Sequence, residues 1–216
     1  MTDPATVAAH RASAVADAIR SARLVAVLRR IAPRERLLDI VDGLAEAGIR
    51  VFEVTFDGEA AAEDLAACRE RLARAADGAT FVGAGTVRTT DQLRRAIAAG
   101  AAFGVAPVLD LGIVRAALDA GMPFVPGAAT PTEADLAWRS GATFVKLFPG
   151  SSLGPAHVRE LRGPLPEIET IVTGGVDASN AAAFLAAGAV AVGIGSALVR
   201  ASGTERRAIV AAVRAT

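Results

Sequence analysis

Five times in this chain a helix-like stretch ends on a small residue and a glycine, then turns apolar. The sites are Ala47-Gly48-Ile49, Ala99-Gly100-Ala101, Ala120-Gly121-Met122, Ser140-Gly141-Ala142 and Ala187-Gly188-Ala189. Glycine is expected just past a helix C-terminus, because it enters the left-handed backbone region at little cost. These glycines lie 52, 21, 20 and 47 residues apart. The large gaps are near-doubles of the small ones, so each gap holds one or two helix–strand units. A period of this kind points to repeated supersecondary structure.

The apolar runs that follow are short and nearly continuous: 24–28, 51–56, 80–84, 103–106, 123–125, 143–147, 168–172 and 190–194. Runs without polar alternation mark strands buried on both faces, as in parallel sheets. Between them lie stretches of helical period rich in Ala, Leu and Arg, over 34–47, 59–75, 91–98, 111–120, 131–139, 157–161 and 179–186. Eight strands alternating with helices over 216 residues, about 27 to a unit, is the arithmetic of an α/β (β/α)8 TIM barrel. An open doubly wound sheet is the other arrangement that alternation allows, but no G-x-G-x-x-G follows the first strand. No linker or low-complexity segment divides the chain. A single domain over 1–216 is expected, with 1–21 as an Ala-rich N-terminal helical extension.

Composition narrows the function. Net charge is zero, so no global field draws the chain to nucleic acid or to an acidic membrane surface. Residues 1–20 carry acids and bases throughout, without an apolar core of signal-peptide type, and no window here reaches the apolar length of a membrane span. The single cysteine, Cys68, sits on a helix face; it excludes an internal disulfide and fits a reducing cytoplasm. The two histidines, His10 and His157, are far apart, and neither a zinc site nor a histidine-based triad can be assembled from the sequence. His10 is expected at the surface and His157 in the first turn of a helix. Trp138 and the scattered phenylalanines read as core.

Lysine occurs once. Of 23 basic residues 22 are arginine, and Lys146 stands between Val145 and Leu147 in a run closed by Pro149-Gly150. Wherever this chain needs a solvated cation, arginine serves. Arginine keeps its proton, whereas a desolvated lysine amine can lose it and form a Schiff base with a carbonyl.

In a barrel, chemistry projects from the C-terminal ends of the strands. Down that list stand Arg29-Arg30, then Glu53 and Thr55 two residues apart on one strand face, and then Gly83-Ala84-Gly85-Thr86. They are followed by Ala106-Pro107, Pro126-Gly127, Lys146 with Phe148, Thr173-Gly174-Gly175 and Gly193-Ile194-Gly195-Ser196. A carboxylate inside the run Val51-Phe52-Glu53-Val54-Thr55-Phe56 is costly unless paired or used. Beside Lys146 it can move the protons that carbinolamine formation, dehydration and enamine formation require. The glycine turns after the seventh and eighth strands suit a phosphate, because backbone N–H groups can approach an anion closely there. Thr86 is either a ligand for a carboxylate or a helix cap. Of Arg29 and Arg30, one can enter the site as an anion ligand while the other faces solvent.

These ordered motifs resemble the KDPG/KHG aldolase family, the class I pyruvate aldolases acting on 2-keto-3-deoxy-6-phosphogluconate and 4-hydroxy-2-oxoglutarate. The resemblance covers residues 22–200. It rests on Val25-Ala26-Val27-Leu28-Arg29, Phe52-Glu53-Val54-Thr55, Gly83-Ala84-Gly85-Thr86-Val87, Thr130-Pro131-Thr132-Glu133, Phe144-Val145-Lys146-Leu147-Phe148-Pro149, Thr173-Gly174-Gly175-Val176 and Gly195-Ser196. It implies that Lys146 is the Schiff-base lysine and Glu53 the general acid/base. Thr86 would hold the pyruvyl carboxylate, Pro107 and Phe148 would wall it, and Thr173, Gly174, Gly175, Gly195 and Ser196 would form the phosphate side.

It further implies a small keto-acid substrate, expected to be phosphorylated, no metal or other cofactor, and a homotrimer. One departure stands out: known members carry an arginine as carboxylate ligand two residues after the strand-two threonine, where this chain has Asp57. Either Arg29 takes that role or the substrate is recognised differently. The glycine turns would also fit another phosphate-binding barrel, such as a thiamine phosphate synthase-like transferase or a sugar-phosphate epimerase, or a barrel that binds a metabolite without catalysis.

Overall fold

The computed structural model describes residues 9–10, 13–75 and 79–216. Its core is a parallel sheet that closes on itself. The strands are β1 (Leu24–Leu28), β2 (Val51–Thr55), β3 (Phe81–Gly85), β4 (Gly104–Val105), β5 (Phe124–Val125), β6 (Gly127–Ala128), β7 (Val145–Leu147), β8 (Thr170–Thr173) and β9 (Ala191–Ile194). They are ordered β5-β4-β3-β2-β1-β9-β8-β7-β6. Only Pro126 separates β5 from β6, so the two ends of the sheet are one strand pairing with β4 on one side and β7 on the other. Proline has no N–H to give the ladder. Its carbonyl still accepts from Lys146 N at 2.9 Å, and Thr143 N donates to Phe124 O at 2.9 Å, which seals the barrel. The expected eight strands are therefore present, the fifth of them split, and the open doubly wound sheet is excluded.

The helices on the outside are α2 (Arg34–Glu46), α3 (Ala61–Ala75), α4 (Thr90–Ala98), α5 (Leu111–Asp119), α6 (Pro131–Arg139), α7 (Gly150–Arg162), α8 (Ala181–Ala186), α9 (Ser196–Arg200) and α10 (Gly203–Arg214). Local chemistry marks their ends. Thr89, Thr130 and Ser202 close capping boxes with Gln92, Glu133 and Glu205. The five punctuating glycines all adopt positive φ: 95° at Gly48, 77° at Gly100, 74° at Gly121, 99° at Gly141 and 109° at Gly188. Thr86 is no cap; Thr89 takes that role on α4.

Two readings needed correction. Helix α7 begins at Gly150 and not near 157, and it is broken at Gly154, whose φ of 70° lies outside the helix region. The Gly-Ser-Ser and Gly-Pro sequence hid its first turn. The segments α9 and α10 were not foreseen either. They complete the ring, α10 burying Ile209, Val210 and Val213.

Side chains divide by strand face. Leu24, Ala26 and Leu28, Phe52 and Val54, Val145 and Leu147 point outward into the layer beneath the helices. Val25, Val51, Phe103, Val105, Val125, Phe144, Ile171 and Ala191 fill the barrel's lower interior. Helix α1 (Ala14–Ala22) plugs that lower end with Val15, Ala16 and Ile19. It is clamped by Arg20, whose guanidinium donates to both Glu169 oxygens at 2.8 and 2.6 Å and lies 5.1 Å from the Phe144 ring centroid. Thus the extension belongs to the core; residues 1–8 and 11–12 of it lie outside the described residues. His10, expected at the surface, is buried beside α1.

Candidate functional site

With the lower interior filled, space remains only above it. Apart from Val27 on β1, residues that continue the inward faces toward the strands' C-terminal ends are polar or very small: Glu53 and Thr55 on β2, Gly83 and Gly85 on β3, Lys146 on β7, Thr173 on β8 and Gly193 on β9. The small ones make room for the large. A Cβ on Gly85 would collide with the Glu53 carboxylate, and one on Gly83 would sit 2.6 Å from ring atoms of Phe103.

Lys146 is 4% exposed and Glu53 2% exposed, and Lys146 Nζ stands 4.0 Å from Glu53 Oε1. That separation is too long for a hydrogen bond. Glu53 Oε1 has no hydrogen-bond partner among the described residues, and the same is true of Thr173 Oγ1. Buried polar atoms left unpaired in a folded protein are uncommon and call for an explanation. A substrate that bridges them supplies one. Phe148 lies beside the amine, 5.4 Å from Nζ to the ring centroid.

Above the lysine opens a cavity of about 640 Å³. Of the residues singled out from sequence, Arg29, Lys146, Phe148, Thr173, Gly174, Gly175, Gly195 and Ser196 line it. Gly174 and Gly175 have φ of 86° and 74°, in the left-handed region. A Cβ on Gly174 would lie 2.8 Å from Phe148 Cε2, so this turn requires glycine twice over. Glu53 does not line the cavity itself; its carboxylate stands 4.0 Å from Lys146 Nζ, which does. Thr86, with φ of 57°, and Pro107 stand at the neighbouring ends of β3 and β4 and do not line the cavity.

Asp57 is fully engaged. It accepts from Thr55 Oγ1 at 2.7 Å and pairs with Arg30 Nε at 3.0 Å. Arg30 is thereby drawn aside, and Arg29 faces the cavity, so the consecutive arginines divide as the sequence suggested. Sequence reasoning missed Arg36, Asp177 and Arg200, which also line the cavity. The Ser179 hydroxyl, followed by its backbone N–H, holds the Asp177 carboxyl below its ordinary range, so Asp177 is an anion at the rim. Among the described residues no cluster of three His, Cys, Asp or Glu side chains is placed to hold a metal ion, and no helix is long and apolar enough to cross a membrane.

Known proteins resemble the whole arrangement. Residues 15–213 match the family described as KDPG and KHG aldolase. The 2-dehydro-3-deoxy-6-phosphogalactonate aldolase of Escherichia coli is 34% identical over 185 residues, which is 85% of this chain and 88% of that one. The 2-dehydro-3-deoxy-phosphogluconate aldolase of Pseudomonas aeruginosa is 38% identical over 171 residues, 77% of this chain and 74% of that one. A KDPG aldolase from Legionella pneumophila, solved with pyruvate captured at low pH as a covalent carbinolamine, superposes with a TM-score of 0.78 at 26% identity, over 92% of this chain and 95% of that one. With an amine and a carboxylate buried together at the mouth of a closed parallel barrel, this chain belongs to the KDPG and KHG aldolase family.

Proposed function

We propose that this chain is a class I aldolase that cleaves a 2-keto-3-deoxy sugar acid, 2-keto-3-deoxy-6-phosphogluconate or a close relative, to pyruvate and glyceraldehyde 3-phosphate. Cleavage of 4-hydroxy-2-oxoglutarate to pyruvate and glyoxylate follows the same steps. The observation that carries this is the isolated pair Lys146 and Glu53, 4.0 Å apart and both almost wholly buried. Simple ligand binding needs neither, and the family membership favours an aldolase over a transferase or an epimerase.

The Lys146 amine adds to the C2 ketone to give a carbinolamine, and loss of water leaves an iminium. Glu53, whose carboxylate is 4.0 Å from the amine, passes the protons of these steps. With the iminium as electron sink, Glu53 takes the proton from the C4 hydroxyl as the C3–C4 bond breaks, and the aldehyde departs. The enamine is then protonated at C3, and hydrolysis of the iminium frees pyruvate and the lysine. Glu53 ends in the state in which it began, and no metal is required. Arg29 holds the carboxylate and Phe148 walls the pyruvyl methyl side; Thr86 and Pro107, which stand outside the cavity lining, flank that end from the neighbouring strands. Thr173, Gly174, Gly175, Gly195 and Ser196 receive the phosphate end. The working enzyme is a cytoplasmic homotrimer.

Borohydride added with pyruvate should leave a stable adduct on Lys146. Because the chain has one lysine, the labelled peptide is unambiguous. Lys146→Arg should fold and neither trap pyruvate nor cleave substrate; aldol cleavage retained by that variant would sink the assignment.

A further inference from the structure

We infer that Arg36 and Arg200 determine specificity, selecting substrates whose end remote from the keto group is a phosphate monoester. This deepens the aldolase assignment and rests on it. Most arginines in the structure are committed elsewhere: Arg20, Arg30, Arg34, Arg71, Arg94 and Arg139 are in ion pairs of 3.0 Å or less, and Arg50, Arg69, Arg95, Arg206 and Arg214 donate to backbone carbonyls.

Arg36 has no such partner among the described residues, and it lines the cavity. It also stands in the first turn of α2, where the partial positive charge of the helix end disfavours a cation. Arg34, in the same turn, is relieved by Asp64 at 2.7 Å; Arg36 is not. An anion arriving in the cavity would relieve it. Arg200, the last residue of α9, faces the same cavity and makes one long contact, 3.4 Å to Ser196 Oγ.

The charge count agrees. Arg29, Arg36 and Arg200 bring three positive charges to the cavity lining and Asp177 one negative, leaving a surplus of two. Lys146 with Glu53 adds none. In a chain of zero net charge this surplus is local. A substrate with a lone carboxylate brings one negative charge and leaves part of the surplus unmet. A 6-phosphorylated acid adds about two more near neutral pH. Guanidinium forks match phosphate oxygens in geometry as well as charge, and the left-handed Gly174-Gly175 turn lets the backbone approach the same group.

The test measures pyruvate release from a 2-keto-3-deoxy-6-phospho acid, from its unphosphorylated counterpart and from 4-hydroxy-2-oxoglutarate. The proteins are wild type, Arg36→Gln, Arg200→Gln and the double variant. Arg115→Gln serves as the bulk-charge control, since Arg115 lies on α5 and meets only Asp119 at 3.8 Å. Each cavity variant should lose about tenfold in kcat/KM on the phosphorylated acid, chiefly through KM, and the double variant about a hundredfold. The unphosphorylated sugar acid, with its lone carboxylate, should change less than twofold, 4-hydroxy-2-oxoglutarate, whose second carboxylate is itself an anion at the remote end, should lose less than the phosphorylated acid, and competitive inhibition by orthophosphate should weaken in the same order. Equal losses on all substrates, losses no greater than in Arg115→Gln, or a wild type that does not prefer the phosphorylated acid would overturn the inference. Borohydride trapping of pyruvate at Lys146 runs in parallel. If wild type fails to trap, the aldolase assignment itself falls. If all the proteins trap alike and the phosphate preference survives substitution, only the arginine assignment falls.

Discussion

The least obvious participant at the site is a residue with no side chain. Gly85 ends β3 directly beside Glu53, and a methyl group there would occupy the space of the carboxylate. An added Cβ would lie on Oε1 and 2.6 Å from both Cδ and Cγ, where ordinary contact begins at 3.4 Å. Clearing it requires Glu53 to move by at least the difference, 0.8 Å. Gly85 has no left-handed φ, so alanine fits its backbone. The obstacle is the far end of a flexible side chain, which yields more easily than backbone does.

Gly85→Ala should therefore fold, with an overpacking cost of roughly 1–3 kcal/mol and a Tm lowered by about 2–10 °C. Its chemistry should suffer far more, because a misplacement near 1 Å in a reacting group can cost about a hundredfold in rate. The assay is kcat for pyruvate release beside Tm by calorimetry. Gly83→Ala, two residues earlier on the same face, is the contrast. There the added atom meets the rigid Phe103 ring at 2.6 Å, so stability should fall more and kcat less. A Gly85→Ala enzyme with lowered Tm but kcat within twofold of wild type would refute the role given to Glu53.

Two further outcomes follow from burial. Burial, the largest cause, pushes the Cys68 thiol up to about 12, so at pH 8 it is a protonated thiol and not a thiolate; a thiol reagent should leave the native protein unmodified for hours and label it promptly in denaturant, and rapid native labelling would contradict the packing of α3. Ile19→Ala on the plugging helix removes a side chain only 1% exposed and should cost about 2–5 kcal/mol with kcat and KM unchanged; a loss of activity at unchanged stability would show that the barrel floor communicates with the site.

How far the sequence reached depended on the kind of signal. The barrel was legible because its signals are redundant: five helices close on a glycine of positive φ, several open on a side-chain cap, and each strand is a nearly continuous buried run. Where local chemistry was ambiguous it failed. Gly150 to Pro155 reads as a loop because glycine and proline usually break helices, yet the first turn of α7 forms there before the kink at Gly154. Residues 1–21 read as an extension because they precede the first strand, yet among its described residues Ile19 and Arg20 close the barrel from below. No pattern in one segment reveals that the space it fills is made by strands as far along the chain as β9.

The same contrast separates the two kinds of cation at the site. Lys146 was conspicuous because the chain has no other lysine, so residue type alone carried the information. Arg36 and Arg200 are two among 22 arginines, and type says nothing about them. What distinguishes them is relational: Arg36 has no partner among the described residues and Arg200 only one long contact to Ser196, and both converge on one cavity. Asp57 belongs with them. In the sequence it looks like the loss of a carboxylate ligand. In the structure it braces Thr55 and Arg30, drawing one arginine off the strand end and leaving Arg29 to face the substrate. In the proposed site anion recognition lies with residues at the end of β1 and on α2 and α9 rather than β2, while Lys146 and Glu53, to which the bond-making steps are assigned there, lie on β7 and β2.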